Sequence, residues 1–284
     1  MKRRIFSLAA AAAFIIALGG CAKGMDHSTM QHASTGAAHQ ASGHKHEALA
    51  SPEAADVRAV WNWTQTPLKP KQPAELSIRI ENANTEQPVN DFDIMHEKQM
   101  HLIVVSRDLS YFAHLHPAYL NNGLFTVQTE WQTAGEYKLF ADFTPSGAEP
   151  TVQSTTVQVA GDAPPPIVLQ PNTDKPQTVD GKLVTLNLPT PAAGQEAKLT
   201  FTIKDAATGQ PITGLQPYLG AVGHVVVISA DAKHYLHVHP LDEGATGPDA
   251  VFMTTFPASG TYKIWGQFQY DNRVFTVPFV VNVP

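Results

Sequence analysis

The chain repeats itself at a fixed offset, and this limits what it can fold into. Ala74-Glu75-Leu76-Ser77-Ile78-Arg79-Ile80 matches Ala197-Lys198-Leu199-Thr200-Phe201-Thr202-Ile203 in pattern, 123 residues later. Gln87-Pro88-Val89 matches Gln210-Pro211-Ile212, and His101-Leu102-Ile103-Val104-Val105 matches His224-Val225-Val226-Val227-Ile228, at the same offset. His114-Leu115-His116-Pro117 meets His237-Val238-His239-Pro240 in the same way. After a slip of two residues, Ala134-Gly135-Glu136-Tyr137-Lys138-Leu139-Phe140 meets Ser259-Gly260-Thr261-Tyr262-Lys263-Ile264-Trp265. Two similar units must therefore fold in series.

Each unit reads as short Val/Ile/Thr/Phe strands of about 5–7 residues between Asn, Gly, Pro and Asp turns. A unit of roughly 100 residues with that spacing suits an immunoglobulin-like β-sandwich. The expected fold is all-β, with two tandem immunoglobulin-like β-sandwich domains over residues 56–160 and 176–284. The segment 161–175, with Pro164-Pro165-Pro166, reads as a semi-rigid linker between them. A single closed barrel and a cupredoxin-type sandwich are the other readings. The blue-copper form of the latter needs a cysteine ligand, which the body lacks.

The N-terminus reads as a signal peptide over residues 1–20. Lys2, Arg3 and Arg4 precede an apolar stretch from Ile5 to Leu18 that is short for a membrane span. Leu18-Gly19-Gly20-Cys21 looks like a bacterial lipobox, which would leave Cys21 as a lipidated N-terminus carrying acyl chains such as palmitate. Cys21 is also the only cysteine, so no disulfide can support the fold. Several acyl chains, at about 0.8 kcal/mol per buried methylene, would hold the chain at a membrane. Ala22 in place of an aspartate leans towards the outer membrane, facing the periplasm.

Residues 21–55 have almost no large apolar side chains and read as a disordered tether. They carry Met25, His27, Met30, His32, His39, His44 and His46. Imidazole suits Cu(II) or Zn(II) and thioether suits Cu(I), so the tract can capture such ions; a plain solvated spacer is the alternative.

The repeat also carries a hairpin with three histidines: His101, His114 and His116 in the first copy, His224, His237 and His239 in the second. If even-numbered loops close at Arg107–Ser110 and at Ala230–Lys233, His101 falls opposite His116 and His224 opposite His239. Strand alternation then puts His114 and His237 on the same faces. Opposed Cβ atoms lie about 4.5–5.5 Å apart, close enough for three imidazoles to converge on one ion. Histidines that merely cap one another in a polar seam are the competing account. Met95, His96 and Met100 are weaker candidate ligands in the first copy, and would make it softer and better suited to Cu(I). His234 is a weaker candidate in the second, and Asp142 and Gln267 hold equivalent positions from which they could orient the ligands.

The segments around His101, His114-Leu115-His116-Pro117 and Leu236-His237-Val238-His239-Pro240 resemble bacterial secreted proteins and lipoproteins with YtkA-like and FixH-like β-sandwich domains. The resemblance covers most of residues 74–284 and implies a β-sandwich and a heavy-metal, chiefly copper, theme. A formal charge of -6 with 15% charged residues gives no basic footprint for nucleic acid. No general-base carboxylate or nucleophile motif accompanies the hairpins, so enzymatic function is not expected. The expected function is metal binding in the envelope, copper first and zinc second, for buffering, resistance or transfer to an envelope metal-transport protein. An immunoglobulin-like interaction module with structural histidines is the alternative. Cys21→Ser is expected to abolish acylation and release the chain from the membrane fraction, read by palmitate labelling and fractionation.

Overall fold

The computed structural model describes residues 56–236 and 238–284. Expectations placed on Cys21, on Met25, His27, Met30, His32, His39, His44 and His46, and on His237 lie outside the described residues. The described residues form seventeen strands and no helix.

Sandwich one contains β1 (Val57–Trp63), β2 (Pro73–Asn82), β3 (Met100–Ser106), β4 (Phe112–Leu115), β5 (Ala118–Tyr119), β6 (Leu124–Glu130), β7 (Gly135–Phe143) and β8 (Thr151–Val159). Its sheets run β1-β2-β6-β5 and β4-β3-β7-β8. Sandwich two contains β9 (Gln177–Val179), β10 (Lys182–Asn187), β11 (Glu196–Asp205), β12 (His224–Ser229), β13 (Tyr235–Leu236), β14 (His239–Pro240), β15 (Asp249–Thr255), β16 (Gly260–Tyr270) and β17 (Arg273–Val283). Its sheets run β14-β15-β11-β10-β9 and β13-β12-β16-β17. These are two tandem immunoglobulin-like sandwiches built of open sheets.

Alternation builds each core. Along β2, Ala74, Leu76, Ile78 and Ile80 are buried, with half-buried or exposed residues between them. They meet Leu102, Val104, Phe125 and Leu139 from the neighbouring strands. Each large apolar side chain so buried contributes roughly 1.5–3 kcal/mol. A repeated tyrosine fastens the same corner in both units: Tyr137 Oη donates to Thr133 O (3.0 Å), and Tyr262 Oη to Ala258 O (2.8 Å). Such a corner is a mark of this sandwich class.

Strands β3 and β12 depart from alternation, because nearly every residue in them is buried. Met100, Leu102 and Val104 face their own core. Ile103 and Val105 face outwards, where they meet Val226 and Ile228 of sandwich two. A third apolar cluster, completed by Leu109, Phe140, Ala232 and Trp265, joins the sandwiches. Its ring contacts are reciprocal: Phe112 stacks on Trp265 at 4.7 Å, and Tyr235 stacks on Phe140 at 5.4 Å. Half-buried Lys263 donates to Leu109 O across the same seam (2.7 Å).

The Pro-rich segment is more than a spacer. Ile167 N–H donates to Asp108 Oδ2 (2.8 Å) on sandwich one, and Val280 N–H on sandwich two donates to Asn172 Oδ1 (2.7 Å). Leu169 packs against the cluster between the sandwiches. Phe140→Ala is expected to cost about 3–5 kcal/mol by removing a buried ring from that cluster. Urea denaturation checks this, with exposed Thr156→Ala as a control within about 0.5 kcal/mol of the parent.

Candidate metal centre

The hairpin turns set the histidine register. In the first, Asp108 Oδ1 accepts from Ser106 Oγ (2.7 Å) and Ser110 N–H (3.1 Å), and Leu109 adopts a left-handed φ of 57°. In the second, Asp231 Oδ1 accepts from Ser229 Oγ (2.7 Å) and Lys233 N–H (3.1 Å), with Ala232 at φ 55°. Each loop has four residues, which keeps the register even. Strands β3 and β4 pair Leu102 with Leu115 and Ile103 with His114, so His101 and His116 fall at the next opposed position.

The two copies then diverge. In copy one the β3–β4 ladder runs from Val105↔Phe112 to Leu102↔Leu115, and the chain crosses to the other sheet only at β5. In copy two the ladder has only Val227↔Leu236 and Ile228↔Tyr235. The chain has already crossed at β14, where His239 pairs with Met253. His239 is therefore exposed on the second sheet and does not stand opposite His224, which corrects the expected second face. His234 is exposed beside its turn, its backbone held to Ser229: its N–H donates to Ser229 Oγ (2.9 Å) and its carbonyl accepts from Ser229 N–H (2.9 Å). Met100 is also no ligand candidate, because β3 turns it into the core at 1% exposure.

What forms instead is one cluster at the end of the seam between the sandwiches. Ring nitrogens of His101, His114 and His116 all lie within 4.8 Å of one another. Their ring centroids are 5.1, 5.1 and 4.7 Å apart. His224 joins from sandwich two, 4.7 Å from His114 and stacked on His101 at 5.5 Å. His96 lies 5.5 Å from His224 and 6.2 Å from His101. It sits in a tight turn, with His96 and Glu97 at φ 47° and 66° and backbone bonds exchanged between Met95 and Lys98. That turn aims the Met95 carbonyl at the cluster. The three residues whose ligand atoms converge are all imidazoles, which suit Cu(II) or Zn(II) better than Cu(I).

Hydrogen bonds fix the tautomers. A carbonyl only accepts, so His101 Nε2 carries the proton it donates to Met95 O (2.9 Å). Gln267 Nε2 donates to Thr276 Oγ1 (3.2 Å), which leaves Gln267 Oε1 to accept from His114 Nδ1–H (2.7 Å). Neutral rings then present bare lone pairs from His101 Nδ1 and His114 Nε2, only 2.9 Å apart. His116 Nε2 is buried without any hydrogen-bond partner. Two lone pairs thus face each other unsatisfied, with a His116 ring nitrogen within 4.8 Å of both, and a cation would relieve them. Two nitrogens bound tetrahedrally at about 2.0–2.1 Å lie roughly 3.4 Å apart, close to the spacing present.

A proton is a poor occupant. Burial lowers His101, pushes His114 down to about 3 and His116 to about 4, and holds His224 well below the usual histidine value. Asp142, opposite His101 in the ladder, supplies the nearby carboxylate and accepts from Tyr235 Oη (3.1 Å). Burial pushes the Tyr235 phenol up, so it stays a donor. A cavity of about 190 Å³ gives access, with Met95, His96, His101, His224 and His239 on its wall. The sequence singled out the histidines, and put Asp142 and Gln267 at equivalent positions of the two copies. It did not indicate that the two copies share one cluster.

In the unfolded chain these histidines titrate near 6.5. Their folded values are lower, so below about pH 6.5 the unfolded chain takes up protons that the folded chain refuses. Stability of the metal-free protein is therefore expected to fall from pH 6.5 towards pH 4. His114 alone contributes up to about 1.4 kcal/mol per pH unit in that window. Thermal melting at pH 7 and pH 5 checks this, and His114→Gln should flatten the slope.

Comparison with solved structures returns proteins of low identity. An *Escherichia coli* adhesin, FdeC, is 14% identical, covering 82% of this chain and 66% of its own, at a TM-score of 0.26. The N-terminal domains of the bacteriophage RB49 outer capsid protein Hoc are 9% identical, covering 80% and 59%, at 0.23. Two fibronectin type III domains of chicken tenascin are 11% identical, covering 80% and 100%, also at 0.23. The chain spans less than two thirds of the length of the first two. No curated protein matches it. One sequence family matches twice, over residues 53–161 and 177–284, which takes in both sandwiches. The chain therefore belongs to that family, a domain of unknown function (DUF8832), and carries the domain in duplicate.

Proposed function

We propose that this chain is an envelope lipoprotein that binds metal ions, copper first and zinc second, at a centre built on His101, His114 and His116. The observation that carries this is the convergence of three imidazoles, with bare nitrogens on His101 and His114 facing each other and His116 Nε2 buried without a partner. Leaving a buried polar atom unsatisfied costs about 1–3 kcal/mol, and bound metal removes that cost. Gln267 and the Met95 carbonyl hold the far nitrogens of His114 and His101, as partners of metal-bound imidazoles commonly do. In this reading Cys21 anchors the chain to a membrane, most consistently the outer one. The tail histidines and methionines capture ions, and the centre buffers them or passes them to an envelope transport protein.

A second reading has one observation in its favour: His101 Nδ1 and His114 Nε2 stand at hydrogen-bond distance (2.9 Å), so a proton on either one would let the two rings satisfy each other, as in a purely structural seam. The chain would then be an interaction module. Titrating residues 55–284 with Cu(I), Cu(II) and Zn(II) separates the two. Submicromolar binding of Cu(II) or Zn(II), lost in His116→Ala and kept in His239→Ala, is the expected result. No binding of any ion would leave the histidines structural.

A further inference from the structure

The geometry points to a metal centre shared by the two sandwiches, in which His224 adds a fourth imidazole and Gln267 fixes His114, so that an occupied centre holds the sandwiches together. This rests on reading the His101/His114/His116 group as a metal centre.

Rings bound tetrahedrally through nitrogen at about 2.0–2.1 Å have centroids roughly 5 Å apart. His224, at 4.7 Å from His114 and 5.5 Å from His101, meets that spacing, although it stands outside the set whose nitrogens lie within 4.8 Å of one another. It is half-buried on the wall of the access cavity, and among the described residues its ring makes no hydrogen bond. An imidazole in that setting has donor capacity to offer.

Sandwich two also controls His114. Gln267 opposes His224 in the β12–β16 ladder and is itself buried, and its Oε1 reaches across the seam to His114 Nδ1–H. Within sandwich two, the backbone before His224 lies close on β16. A Cβ on Gly223 would lie 2.5 Å from Phe268 Cδ1 and 2.7 Å from Gln267 O, whereas the equivalent residue in copy one is Met100.

Cation binding at His114 Nε2 makes Nδ1–H a stronger donor to Gln267. Ion binding and docking of the sandwiches then reinforce each other, and the coupling is reciprocal. Gln267 acts here as a positioning residue.

Thermal unfolding of the full-length chain during Zn(II) and, separately, Cu(II) titration tests this. Ions on a tail that binds alike in folded and unfolded chains do not move the midpoint, so a rise reports the folded centre. The parent should rise and His116→Ala should not. His224→Ala and Gln267→Leu should each need about 10–100-fold more metal for the same rise. Gln267→Glu, which still accepts from Nδ1–H, should recover most of it. Metal should also slow amide exchange in β12 of the parent but not in His116→Ala.

Parent-like rises in both His224→Ala and Gln267→Leu, with loss only in His116→Ala, would place the centre in sandwich one alone and overturn the inference. No rise in the parent would remove the metal centre itself. Should His224→Ala fail to fold, the Gln267→Leu and Gln267→Glu pair decides the matter.

Discussion

Strands β3 and β12 are covered on both faces, and the rest of the arrangement depends on that double covering. One face of each completes its own sandwich, and the other is pressed against the partner strand across the seam. Water is excluded from the seam, so the polar groups that end it must satisfy one another or hold something that does. His101 continues the outward face of Ile103 and Val105, and His224 continues that of Val226 and Ile228. The histidines therefore meet because two apolar rows align.

Much of this was legible in the sequence. The duplication gave two sandwiches, turn residues marked most of the strand ends, and an even hairpin loop put His114 on the same face as His101. The role of Asp108 and Asp231 in setting those loops follows from Ser-x-Asp in both turns. The seam has a signal in the sequence as well. Leu102-Ile103-Val104-Val105 and Val225-Val226-Val227-Ile228 are unbroken apolar runs, which denote burial on both faces rather than one. The early crossing to β14 was not legible, since Leu115-His116-Pro117 and Val238-His239-Pro240 give similar local patterns.

The duplicated positions also show how the copies have become unequal. Asp142 and Gln267 occupy equivalent places on β7 and β16. Asp142 places a carboxylate beside the cluster, accepting from Tyr235, while Gln267 brings a neutral acceptor to His114. A second carboxylate in place of Gln267 would bring another negative charge into the seam. With one acid and one amide, the cluster gains electrostatic attraction for a cation at a smaller desolvation cost.

The reciprocal stacking of Phe112 on Trp265 and Tyr235 on Phe140 has a consequence beyond this chain. Contacts exchanged in that way between two copies of one domain are those of an isologous dimer interface, here formed within a single polypeptide. A chain carrying the domain once would leave the same apolar rows and aromatic rings open to solvent, and self-association is the simplest way to cover them. Duplication fixes that pairing at high effective concentration and frees the two halves to diverge. One half could then keep the hairpin histidines together while the other contributed only the residues that face them.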